Sequence, residues 1–260
     1  MAAPFSCHPG PMPSFISDYM RVAREPRYSL TFALPLLLLY EVLAFSLSGH
    51  EFAGVRNGAD VLLKSLFVAL GGRSGLIAFG VLLIVGGGWL VWRDCRGRRV
   101  NPEVFAAMAL ESVLYALVFG LIASTLTTAL LPGLATQAWV SASALHSGMQ
   151  WNLLTQLMIS LGAGIYEELL FRVLLVSGLA WLMGRVFRWR RYSAAGFAVL
   201  VGALIFSAFH YMGPYGDDLA LASFTFRAVA GVLFSGLYLL RGFGITAWTH
   251  ALYDVLLALK

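Results

Sequence analysis

Two adjacent carboxylates, Glu167 and Glu168, and an arginine four residues further on, Arg172, lie inside an almost continuously apolar stretch. An ionisable side chain at bilayer depth is costly unless it is paired, hydrated through a cavity or functional. At ~100° per residue, Glu168 and Arg172 share one helix face, with the acid on the N-terminal side as an ion pair prefers, while Glu167 points about 100° away. One glutamate is therefore neutralised locally and the other is left over. Two later apolar stretches each place a pair of residues at i, i+4: Phe206 with His210, and His250 with Asp254. Each pair lies on one helix face. A lone histidine in such a place reads as a hydrogen-bonded packing residue, and a lone Glu168–Arg172 pair reads as a bridge that lets a helix tolerate its charges. Taken together they read as chemistry. Peptide hydrolysis needs a base to activate water, donors for the tetrahedral oxyanion and a proton for the leaving amine. Glu167, His210 and His250 can supply that set, with Glu168 and Arg172 supporting them.

The elements that carry these groups must be membrane helices. The chain has 260 residues, of which 59% are hydrophobic and only 12% charged, with a mean hydropathy of +0.79. Soluble domains carry about 25% charged residues. The apolar runs are continuous rather than alternating with a period of two, which argues for helices and against a barrel. The expected fold is an all-α polytopic membrane protein, a bundle of about seven to eight transmembrane helices. The net charge of +5 does not indicate a nucleic-acid partner, because the arginines cluster at the ends of apolar segments, where they set topology. Cys7 and Cys95 are isolated and form no disulfide framework. Residues 1–28, with five prolines, read as a cytoplasmic N-terminal segment without a cleavable signal. Residues 29–149 read as N-terminal transmembrane helices and 150–260 as the catalytic core of the same membrane domain.

The expected spans are 29–48, containing Glu41; 75–92, with Gly86-Gly87-Gly88 permitting close helix approach; 104–131, containing Glu111; 152–183; 193–211; 219–240; and 244–259. A stretch at 60–70 with Lys64 in its middle is too short to cross comfortably and reads as interfacial or re-entrant. The 132–150 loop is charge-free and contains Pro132, Gly133 and His146. The 152–183 segment would be about 48 Å long as an α-helix, so it must tilt, kink or extend into water. With the N-terminus in the cytoplasm, that side collects twelve arginines, at 21, 24, 27, 93, 96, 98, 99, 185, 188, 190, 191 and 241. The other side has four basic residues, Arg56, Lys64, Arg73 and Lys260. The positive-inside rule therefore favours a cytoplasmic N-terminus. The depths of the site residues along these spans do not coincide: His210 falls near the far end of its helix, Glu167 near the middle, and His250 about 9 Å from the cytoplasmic start of the last helix. Glu41 and Glu111 read as structural hydrogen-bonding residues, with a wet cavity or a pair with Arg227 as alternatives.

Glu167-Glu168-x-x-x-Arg172, then Phe206-x-x-x-His210, then His250-x-x-x-Asp254, in this order on separate spans, resembles the CPBP family. This is the group of type II CAAX prenyl endopeptidases and bacterial abortive-infection or bacteriocin-processing relatives. The resemblance covers about residues 150–257. It implies an intramembrane endopeptidase, in a multi-pass protein of a bacterial plasma membrane, acting on a membrane-associated protein or peptide. It further implies that Glu167 is the general base on water, that His210 assists it, and that His250 with residue 254 polarises the carbonyl and holds the oxyanion. The prenyl-protein proteases carry asparagine where Asp254 stands. An ionised aspartate repels an oxyanion, so Asp254 is either protonated or orients His250 without touching substrate.

The family was long described as metal-dependent, and two histidines with a glutamate make a conceivable zinc set. No HExxH motif occurs, and His50-Glu51 has Gly54 where a second histidine would fall. The expectation is glutamate catalysis with no cofactor, zinc being the alternative. Two other classes use such residues: a non-catalytic binding or immunity protein, and a proton-coupled transporter. A transporter would show inverted repeats and broken helices at matching positions, which the sequence lacks.

Overall fold

The computed structural model describes residues 15–47, 55–132, 152–213 and 216–259. Cys7, His50, Glu51, Gly133, His146 and Lys260 lie outside the described residues. Among the described residues there are eight helices and no strand: α1 (Phe15–Val22), α2 (Pro26–Ser46), α3 (Gly58–Cys95), α4 (Pro102–Leu130), α5 (153–185), α6 (Arg191–Phe209), α7 (Leu221–Arg241) and α8 (Phe243–Ala258). Five of them, α2, α3, α4, α6 and α7, are long and apolar enough to cross a membrane. The chain is an integral membrane protein.

Local chemistry sets several boundaries. Asn57, Asn101 and Asn152 each cap a helix by accepting a backbone N–H of the first turn, and Pro26 and Pro102 occupy the first helical position, where a missing N–H costs nothing. The expected division of the 58–95 region into a short segment and a span holds, although helix runs on both sides of the break. At Gly71 and Gly72, the latter with φ +57°, the backbone leaves helical geometry. The Phe67 and Phe79 rings then lie 4.9 Å apart, whereas twelve residues of straight helix would separate their Cα atoms by about 18 Å. The chain turns a tight corner, and Gly75 sits so close to the Phe67 carbonyl that no Cβ would fit. The glycine run at 86–88 does not show the close approach expected of it: a Cβ at Gly87 or Gly88 would meet nothing within 4 Å. Helix α1 is also unexpected, since the proline-rich start masks its amphipathic turn.

Close approach occurs instead at Gly162 and Gly164 of α5. A Cβ at Gly164 would lie 2.5 Å from the Ala247 carbonyl oxygen and 2.6 Å from the Ala251 methyl of α8. One at Gly162 would lie 2.6 Å from the Tyr40 ring and 2.7 Å from Asn57 Cβ. Small residues let helix backbones meet where lipid offers no hydrophobic drive between them.

Ion pairs join the arginine-rich end. Arg241, buried at the end of α7, binds Glu111 of α4 through Nε at 2.5 Å and a terminal nitrogen at 2.7 Å. Tyr19 of α1 donates to the same carboxylate, and Arg241 also donates to the Met20 carbonyl. Glu111 is thus structural, and its partner is Arg241 rather than Arg227, which pairs with Asp217. Glu41 is likewise held by Arg56, Lys64 and the Tyr166 hydroxyl, at 3.2, 2.9 and 2.7 Å.

The mismatch in depth has a simple origin. Helix α8 begins at the corner after Arg241, where Gly242 lies against Arg24 and Gly244 N–H donates to Ser29 Oγ. His250 is seven residues, or about 10 Å, further along. Helix α6 runs for 19 residues from Arg191, about 28 Å, before reaching His210. The site residues still meet, as the contacts of Glu167 with His210 and of Glu168 with His250 show. Trp181, Phe187 and Tyr192 are exposed near the α5–α6 turn.

Candidate active site

The middle of α5, Ala163–Val176, is π-helical, with α-helix on either side at Leu153–Gly162 and Ser177–Arg185. The i→i+5 pattern widens the helix, and such segments recur at functional sites. Glu167, Glu168 and Arg172 all project from it and all are buried.

Glu168 and Arg172 form the anticipated ion pair, at 3.2 Å. The Arg172 guanidinium lies over the Phe206 ring, 4.4 Å from its centroid, and 5.3 Å from that of Phe234. Two aromatic faces thereby replace much of the hydration of a cation that is 1% exposed. Phe206 also packs edge-on against His210 and Phe171, so it supports both halves of the site. The sequence does not anticipate the second partner of Glu168: His250 Nδ1–H donates to its Oε1 at 2.7 Å. His250 stacks on Phe234 with 4.2 Å between centroids, and its Nε2 faces Asp254 Oδ2 at 3.6 Å. The imidazole is therefore set between two carboxylates, Glu168 and Asp254.

Glu167 stands apart, as its position on the helix suggests. Its Oε1 accepts from Asn57 Nδ2 at 2.8 Å. Its Oε2 is buried, has no hydrogen-bond partner among the described residues, and lies 3.9 Å from His210 Nε2. His210 sits immediately after α6 rather than inside it, and its Nδ1–H donates to the Phe206 carbonyl at 2.9 Å. That bond fixes the ring and turns Nε2 towards Glu167. Among the described residues, no three His, Cys, Asp or Glu side chains are arranged to hold a metal ion. The Nδ1 of His250 is already engaged by Glu168.

Asn57 is the site residue that the sequence did not single out. Its Oδ1 accepts from Ala59 N at 2.9 Å as the cap of α3, so its amide nitrogen must be the group that meets Glu167. The Asn-Gly-Ala-Asp order is a legible cap signal, but nothing in it reveals a contact 110 residues away. Beside it, buried Asp60 receives the Tyr40 hydroxyl at 2.7 Å, Arg56 at 2.9 Å and Lys64 at 2.6 Å. The Glu41–Arg56–Asp60–Lys64 network, through the Tyr166 hydroxyl on Glu41, thus joins the first turns of α3 to the helix that carries Glu167.

With this geometry in place, comparison with known proteins decides the family. Residues 149–256 match the family model described as type II CAAX prenyl endopeptidase Rce1-like. This stretch is a domain of that family. The match runs from α5 into α8 and includes every residue of the three motifs. Asn57 and the Glu41–Lys64 network lie outside it. No curated protein and no solved structure matches the chain.

Proposed function

We propose that the protein is an intramembrane endopeptidase that hydrolyses a peptide bond of a membrane-associated substrate by glutamate-activated water. The observation that carries this reading is the asymmetry of Glu167. One oxygen is fixed by Asn57, and the other is buried, unpartnered and turned towards His210. Glu168, by contrast, is taken up by Arg172 and His250.

In this reading Glu167 Oε2 takes a proton from water, whose oxygen bonds to the scissile carbonyl carbon. His210 Nε2 stands beside that oxygen and shares the proton. His250, fixed by Glu168 and facing Asp254, supplies positive charge to the oxyanion when protonated. Asp254 orients His250 and does not touch substrate. As the tetrahedral centre collapses, the C–N bond breaks and the amine leaves with the proton first taken by Glu167. Glu168, Arg172 and Phe206 hold the two histidines and the π-helical segment in register. No metal takes part in these steps, and the N-terminus is cytoplasmic.

The Glu167→Gln variant keeps the shape of the side chain and an oxygen for the Asn57 bond. Purified from membranes, it is expected to fold like the unaltered protein and to lose peptide cleavage, and the active protein is expected to carry no stoichiometric metal. Retained cleavage in Glu167→Gln rejects the base assignment. Zinc at one equivalent, lost together with activity, rejects the metal-free mechanism.

A further inference from the structure

Arg227 stands in the second turn of α7, a helix long and apolar enough to cross a membrane, and only 6% of its side chain is exposed. A charge in such a helix is costly unless it is paired or functional. Its carboxylate partner is Asp217, in the segment that joins α6 to α7. From the contacts of this pair, and resting on the peptidase reading above, we infer that Arg227 and Asp217 are positioning residues for His210. The ion pair locks the turn that carries the imidazole onto α7 and so keeps Nε2 directed at Glu167.

A helix ends with carbonyls that find no N–H within the helix. At the end of α6 the Phe206 carbonyl takes the His210 ring Nδ1–H at 2.9 Å, and the His210 carbonyl takes the Asp217 N–H at 3.0 Å. Asp217 therefore holds His210 through its backbone and Arg227 through its carboxylate. Two further contacts tie the same turn to the start of α7. The Arg227 guanidinium lies 5.1 Å from the centroid of the Tyr211 ring, and the Tyr211 and Ser223 hydroxyls share a hydrogen bond at 2.6 Å. The pair is not there for the sake of Asp217, which is 42% exposed and within reach of water. Nor does stability call for it, because a buried ionic group is often replaced by an apolar one of similar volume at no cost. What the pair adds is the place of the His210 turn, and a displacement of ~1 Å at a reacting group can cost about 100-fold in rate.

Two measurements on the full chain test this, with Arg227→Met, which removes the buried charge and keeps most of the volume, and Arg227→Lys, which keeps the charge. Arg227→Met is expected to retain its thermal midpoint in detergent. In the same purified protein the rate at which diethyl pyrocarbonate modifies His210, read by peptide mass spectrometry, is expected to rise several-fold as the ring leaves its place between Phe206 and Glu167. The rate at His250, which Glu168 holds from another helix, is expected to stay unchanged. In cells, protein termini that vanish with Glu167→Gln are expected to form about 10- to 100-fold more slowly with Arg227→Met at equal abundance. Arg227→Lys is expected to restore part of both effects. Arg227→Met combined with Asp217→Asn removes both charges, is expected to behave like Arg227→Met, and takes its place if the single variant does not fold. In the folded variants, an unchanged His210 rate, a parallel rise at His250 with a lowered midpoint, or undiminished cleavage overturns this inference and leaves the peptidase reading intact. If no termini depend on the enzyme, the peptidase reading itself is overturned, while the His210 rate still decides whether the pair holds the ring.

Discussion

Asn57 does two jobs with one side chain, and they can be separated. Its oxygen caps α3 and its nitrogen donates to Glu167. Serine caps a helix nearly as well but is too short to reach Glu167, so Asn57→Ser should fold normally and cut slowly. Aspartate caps as well and keeps the size, but it sets a second acceptor against the carboxylate. A hydrogen bond to a charged group is worth ~1.5–3 kcal/mol, so kcat should fall about 10- to 100-fold in Asn57→Ser and further in Asn57→Asp. An unchanged kcat in both folded variants would remove Asn57 from the site. At this scale the sequence is informative within a helix and silent between helices. Glu168 and Arg172 are four residues apart, so helical geometry alone pairs them. His250 and Glu168 are 82 residues apart, and only the packing of α5 against α8 brings them into contact.

Helix α5 shows which features of an element a sequence can carry. Its length is legible from hydropathy, and the helix runs over 153–185 as that reading suggests. The π-helical middle is not legible, because it depends on how Gly162 and Gly164 dock against Tyr40, Asn57, Ala247 and Ala251. The glycine triplet at 86–88 looks more like a docking surface than these two spaced glycines do, yet it faces outward. What distinguishes them is the neighbour and not the composition. Gly164→Ala places a methyl group against backbone and should force α5 and α8 apart. Such overpacking costs ~1–3 kcal/mol, seen as a lower thermal midpoint in detergent and a loss of cleavage, since Glu168 and His250 lie on the two separated helices. Gly87→Ala, in open space, serves as the control and should change neither.

Across the whole molecule, one buried ion pair shares no residue with the candidate site. The buried Arg241 and its partner Glu111 join α1, α4 and α7. Removing one partner of a buried pair leaves an uncompensated charge, at a cost of ~3–5 kcal/mol. Glu111→Ala should therefore lower the yield and thermal midpoint while leaving the cleavage rate per folded molecule unchanged. A drop in that rate would mean that the pair and the site are coupled. The all-helical membrane class and the ordered trio of motifs were legible because bilayer burial makes every charge conspicuous. The contribution of the N-terminal half was not, because Asn57 and Glu41 are ordinary polar residues until the fold brings them to Glu167 and Tyr166 of α5. The central claim is that Glu167 activates water for peptide hydrolysis. Its most direct test is comparative mass spectrometry of membrane-protein termini from cells carrying either the unaltered protein or Glu167→Gln at equal abundance. The account predicts a set of new termini that is present with the former and absent with the latter; the same set in both would contradict it.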